Sequence, residues 1–126
     1  MANDFFYKKV EAYKKAKTFT IYVYNLVKNF PSYEQYALSD QLRRAAVSVP
    51  SNIAEGLGRM SIKERIHFLE IAYGSLMEVF SQLDIAVDLN YISSEQFAGA
   101  KKQIEEVASL LSGLRNKRLR PTSSNL

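Results

Sequence analysis

The feature that most constrains this chain is an apolar stripe that recurs every three or four residues over residues 62–87 without meeting a proline. Ile62, Ile66, Leu69, Tyr73, Leu76, Phe80, Leu83 and Val87 hold heptad positions for almost four repeats. At 3.6 residues per turn they share one side of a helix. A second row, Phe68, Ala72, Ser75, Val79, Gln82, Ala86 and Leu89, is partly apolar with small residues, so two sides of this helix can be covered. Ser61 and Glu64 stand in front of it in capping-box spacing. A helix with this much apolar surface has to be buried against other helices.

The rest of the chain supplies them. Over residues 5–30, Ala12, Ala16, Phe19, Val23, Leu26 and Phe30 recur at alternating steps of four and three, which predicts a first helix. Pro31 stops it, because the residue before a proline is pushed out of helical geometry, and residues 31–37 are expected to form a loop. A second helix is predicted over residues 39–57, with Ser39 as N-cap, Asp40 at the positive end of the dipole, and Gly56 and Gly58 as terminators. Pro50 lies inside it and removes a backbone hydrogen bond, so a kink or two short helices are expected there. The third helix spans residues 62–89, with Asn90 as a left-handed cap. Ser93 and Gln96 repeat the capping-box pattern before a fourth helix over residues 94–116, whose buried face is Phe97, Ala100, Ile104, Val107, Leu111 and Leu114. Residues 117–126 turn basic and then polar, and are expected to be a disordered tail. Four helices with short connections predict one all-α domain over residues 1–126, an antiparallel up-and-down four-helix bundle with its second helix kinked near Pro50.

Composition narrows the function. The chain has 126 residues, 47% hydrophobic and 24% charged, with no cysteine and one histidine. A disulfide scaffold, a thiolate metal site, a Cys/His pair and a multi-histidine zinc site are therefore excluded within one chain. Glu64 and His67 have the spacing of half a di-iron carboxylate site, but the second half is missing, and a solvated histidine is the simpler account. The run Gly56-Leu57-Gly58-Arg59 lacks the strand and the Lys-Ser/Thr ending of a phosphate loop, and reads better as a helix terminator. No metal, cofactor or catalytic residue is expected. The first six residues show no basic segment followed by an apolar run, and no apolar stretch is long enough to cross a bilayer, so a cytoplasmic protein without membrane contact is expected.

The net charge of +4 is unevenly spread. Residues 1–63 carry ten Lys/Arg against five Asp/Glu, residues 64–106 three against eight, and residues 107–126 four against none. Lys8, Lys9, Lys14, Lys15 and Lys17 on the first helix, with Arg115, Lys117, Arg118 and Arg120 near the chain end, are the candidate nucleic-acid-binding groups. A solvated lysine face is the alternative.

The second helix carries a polar row. Gln41, Arg44, Ser48, Asn52, Glu55 and Arg59 follow one another at helical spacing and share a face beside the core face of Leu38, Leu42, Ala45, Val49, Ile53 and Gly56. Ser75, Glu78 and Gln82 on the third helix are their natural partners in a satisfied polar network, within the bundle or between subunits. The alternative is a solvated face.

The run Gln41-Leu-Arg-Arg-Ala-Ala-Val-Ser-Val-Pro-Ser-Asn-Ile-Ala-Glu-Gly-Leu-Gly-Arg59, followed by Phe68-Leu-Glu-Ile-Ala-Tyr-Gly-Ser-Leu-Met-Glu78, resembles the bacterial four-helix-bundle family of 23S rRNA intervening-sequence proteins. The accessory variability proteins of diversity-generating retroelements look like relatives. The resemblance extends from Val10 through Asn90-Tyr-Ile92 to the last helix. It implies a non-enzymatic bundle that assembles into a homo-oligomeric ring, commonly a pentamer, with a positively charged surface. For the retroelement relatives it implies binding to nucleic acid and to a reverse transcriptase. For the intervening-sequence members it implies only an encoded place inside an rRNA gene. The expectation drawn from residues and resemblance together is a homo-oligomer that binds RNA or DNA, structured RNA first. A protein adaptor with incidental RNA affinity is the rival.

Overall fold

The computed structural model describes the backbone over residues 6–119 and the side chains over residues 7–116. Four helices, α1 (Glu11–Val27), α2 (Leu38–Leu57), α3 (Ile62–Asp88) and α4 (Ser94–Leu119), follow a short 3-10 turn, Phe6–Lys9. Each helix packs on its neighbours in the sequence and α1 closes the ring against α4, while the backbones of the diagonal pairs stay apart. This is the expected antiparallel bundle. Its core runs the length of the molecule through Phe19, Val23, Leu42, Val49, Ile53, Leu69, Leu76, Leu83 and Val107, all fully buried. The buried face of α3 takes Leu69, Leu76 and Leu83 from the heptad stripe and Ala72, Val79 and Ala86 from the second row. Ile62 and Tyr73, at the outer edge of the stripe, are exposed.

Several boundaries differ from expectation, each for a local reason. The first segment is split at its start because Val10 is extended (φ −83°, ψ 131°), which separates the 3-10 turn from α1; at its other end α1 stops at Val27 and the turn before Pro31 is irregular. The loop over residues 31–37 contains a 3-10 turn, Ser32–Glu34. Ser39 does not cap α2: it is buried in the first turn, and Glu34 does the capping by accepting the Leu38 N–H at Oε1 (3.1 Å). Gly56 does not terminate α2 either. It is buried inside the helix where α3 crosses closest, and a Cβ there would stand 3.0 Å from Phe68 Cβ and 3.1 Å from the Arg65 carbonyl. Gly58 is the C-cap residue. The fourth helix continues to Leu119, beyond the expected end at Asn116, so the start of the predicted tail is helical. Residues 120–126 lie outside the described residues.

The remaining signals act as read. Ser61 Oγ accepts the Glu64 N–H at 3.0 Å. Ser93 and Gln96 close a full capping box, with Ser93 Oγ accepting the Gln96 N–H (3.0 Å) and Gln96 Oε1 accepting the Ser93 N–H (2.9 Å). Asn90 takes φ 62° after α3, where the chain reverses.

Pro50 does not divide α2, which is one unbroken helix from Leu38 to Leu57. Proline has no N–H for the carbonyl of residue 46, four positions back. Thr20 of α1 offers the replacement: its Oγ1 lies 3.0 Å from the Ala46 carbonyl and 2.9 Å from its own Ala16 carbonyl, and its single proton is shared between the two. The donor lost from α2 is thus returned by the neighbouring helix, and the two helices are tied at that point.

Candidate nucleic-acid interface

Antiparallel packing brings the start of α1, the end of α2, the start of α3 and the end of α4 to one end of the bundle. The pairing of levels is set by contacts between helices: Lys15 with Glu106 (3.5 Å), Ser48 with Ser75 (2.7 Å), and Arg115 with Glu70 (3.0 Å). Dividing the bundle at these mid-levels, about residues 18, 48, 75 and 104, leaves eleven Lys/Arg and six Asp/Glu among the described residues of the half that holds this end. The opposite half holds five Lys/Arg and six Asp/Glu. The blocks of charge along the sequence therefore become a basic end.

The candidate cations among the described residues fall on this end. Lys8 and Lys9 lie exposed in the 3-10 turn. Lys14 pairs with Glu11 (3.5 Å) and Lys15 with Glu106, both across exposed side chains, and such pairs are weak and screened. Lys17 is exposed and makes no ion pair among the described residues. Arg115 is held by Glu70. Lys117 and Arg118 ride on the last turns of α4, with side chains beyond those described, and Arg120 lies outside the described residues. Sequence reasoning missed Lys63 and Arg65, which the turn between α2 and α3 adds to the same end. The signal available was their place in the first turn of α3, but its meaning depends on which helix ends meet.

Arg59 belongs to this end as well as to the polar row. Its Nη2 pairs with Glu55, its guanidinium lies 4.8 Å from the centre of the Phe68 ring, and its carbonyl accepts from Arg65 Nε (2.7 Å). These contacts fasten α2 to α3 around the Gly56 crossing.

The polar row separates into small groups. Ser48 and Ser75 share a hydroxyl hydrogen bond between α2 and α3, and Asn52 Nδ2 donates to Ser48 at both its carbonyl (2.8 Å) and its Oγ (2.9 Å). One helical turn or two away, Gln82 Nε2 donates to Gln41 Oε1 and Glu78 Oε2, each at 3.3 Å. Arg44 does not reach Glu78. Its side chain is 79% exposed and is taken by Asp40 one turn earlier (2.9 Å), whose carboxylate raises the guanidinium pKa still further. The groups run as a half-buried seam between α2 and α3.

At the opposite end, the two loops are joined by Glu34. Its Oε2 accepts from the Tyr91 hydroxyl (2.8 Å), which also lies 3.1 Å from the Tyr33 hydroxyl, and the Tyr91 ring packs 5.1 Å from Phe30. These hydrogen bonds, to Tyr33 first and to Glu34 second, hold the Tyr91 hydroxyl well above the usual tyrosine range.

Among the described residues no group of three or more His, Cys, Asp and Glu is placed to hold a metal ion, and no helix is long and apolar enough to cross a membrane. Fold and surface together define a class: a four-helix bundle with a basic end and a polar seam along one pair of helices. The chain belongs to the family of 23S rRNA-intervening sequence proteins, which it matches over residues 8–113. Its structure is similar to that of a protein of unknown function from the S23 ribosomal protein family of Bacteroides thetaiotaomicron VPI-5482. The TM-score is 0.77 at 24% identity, covering 83% of this chain and 95% of that one. At that identity the likeness bears on the fold alone. Among curated proteins, none matches the sequence.

Proposed function

We propose that this chain is a non-enzymatic, self-associating bundle that binds nucleic acid, structured RNA in particular, through its basic end. The supporting observation is the gathering of eleven Lys/Arg, among the described residues, in one half of the bundle. Helices that scatter these cations along the sequence would present no such footprint. Phosphate contacts release condensed counterions, so affinity must fall with salt. For about four contacts, the loss between 50 and 200 mM salt is about a hundredfold. Filter binding of a hairpin RNA across that range is the test. Binding that is absent at low salt, or level as salt rises, rejects the reading.

Self-association is supported by the outer face of α3. Ile71, Gly74, Glu78, Ser81 and Ile85 share that face, and Ile71 (38%) and Ile85 (48%) are exposed. A Cβ at Gly74 would meet nothing within 4 Å, so no contact inside the bundle accounts for the glycine. A second copy laid against this face would cover both isoleucines, and the pentameric ring implied by the family resemblance is the expected form. Light scattering should give a mass several times 14.4 kDa, reduced by Ile71→Lys with the helical content retained. A monomer at micromolar concentration would refute it. The rival partner is another protein, such as a reverse transcriptase, which would co-purify after nuclease treatment and leave the basic end dispensable.

A further inference from the structure

A groove of about 450 Å³ opens between α3 and α4 on the basic half of the bundle, lined by Leu69, Glu70, Tyr73, Leu111, Ser112 and Arg115. Leu69 and Leu111 form a buried apolar floor, and Tyr73 stands 44% exposed at its side. Arg115 Nη2 donates to Glu70 Oε2 at 3.0 Å, but its Nε is buried and has no hydrogen-bond partner. A buried donor without an acceptor is costly, so the guanidinium gains by turning away from Glu70 toward a ligand that its Nε can reach.

The choice of ligand follows from the carboxylate. A bare phosphate would satisfy Arg115 but would be repelled by Glu70 beside it. A neutral planar group offering acceptors to the guanidinium and donors to the carboxylate satisfies both, and its flat face suits the tyrosine ring. Among the bases, guanine presents two acceptors, O6 and N7, and two donors, N1–H and N2–H. Adenine has a single donor group, N6–H₂, and no oxygen acceptor. Paired bases are stacked and hydrogen-bonded already, so the ligand must be unpaired.

We propose that the α3–α4 groove binds an unpaired guanine, with the Arg115–Glu70 pair opening to admit it, Tyr73 stacking on the base, Arg115 donating to its O6/N7 edge and Glu70 accepting from N1–H and N2–H. This rests on the reading of the basic end as a nucleic-acid interface and assigns to it a base preference.

The test uses the full chain and hairpin RNAs with one loop guanine, compared with the same hairpins carrying adenine or 7-deazaguanine at that position. One lost bidentate contact corresponds to about 5- to 150-fold in affinity. The guanine loop should therefore bind at least about fivefold tighter than the adenine loop. Arg115→Lys, which keeps the charge but not the fork, should abolish the preference while leaving the salt dependence nearly unchanged. Glu70→Gln, at an exposed position where folding is not at stake, should reduce the preference independently. Equal affinity for the guanine and adenine loops, or a preference that survives both variants, overturns the proposal while the basic-end reading stands. No binding of any hairpin at low salt removes the basic-end reading itself, and the base preference with it.

Discussion

Tyr91 shows how much one hydroxyl can connect. It donates to the same Glu34 whose other oxygen caps α2, so the loops at the end away from the basic groups are joined through a single carboxylate. Because its folded pKa is raised, the hydroxyl contributes stability that is fully present below the ordinary tyrosine value of about 10 and is lost as pH rises through the folded value. Urea midpoints of the wild type and Tyr91→Phe should therefore differ by a constant amount from pH 7 to about 9, and the gap should narrow above pH 10. A gap unchanged at pH 11 would show that the hydrogen bond carries no such linkage. Sequence inspection identified Asn90 and Ser93 near this corner but not Glu34 or Tyr91. Their partners are 57 residues apart, and no local periodicity reports such a pair.

For the helices, the informative pair is Thr20 and Pro50. From the sequence alone a kink or a break of α2 is expected at Pro50, and the break is absent. In the bundle, α1 lies close enough for Thr20 to serve the Ala46 carbonyl, and the helix continues. Thr20→Val keeps the side-chain volume and removes the donor, so it should destabilise the protein by about 1–3 kcal/mol. In a Pro50→Ala background the backbone N–H returns, and the same change should cost much less. The coupling between the two sites, expected at about 0.5–3 kcal/mol, is read from a double-mutant cycle of urea melts. Additive effects would mean that the hydroxyl does not replace the missing N–H. The polar row on α2 followed a similar course: its spacing and its face were readable, but the partition into Ser48/Asn52/Ser75 and Gln41/Glu78/Gln82 depended on the register of α3.

For the molecule as a whole, charge is distributed by topology. Lys9, Lys17 and Lys63 come from three helical segments, are exposed, and make no ion pair among the described residues, yet they share one end. Reversing any of them, as in Lys17→Glu, should weaken RNA binding and lower the salt slope by about one unit. Lys28→Glu at the far end of α1 is the control and should change neither quantity by a comparable amount. If both reversals act alike in filter binding, the attraction is a matter of net charge and the basic end is not a site.

Much of this architecture follows from the sequence by itself. Helical periodicity, two Ser-x-x-Glu/Gln boxes, Pro31 and Asn90 determined four antiparallel helices and most of their ends, because these signals act within a few residues. Only the tertiary structure decided that Gly56 would be a crossing point, that Ser39 would yield its cap to Glu34, and that Thr20 would carry α2 past Pro50. It also decided that scattered lysines and arginines would meet at one end, beside a groove holding an unmatched guanidinium N–H. Each of these depends on which atoms distant segments bring within about 3 Å of one another. That is a property of packing, and the spacing of residues along the chain does not encode it locally.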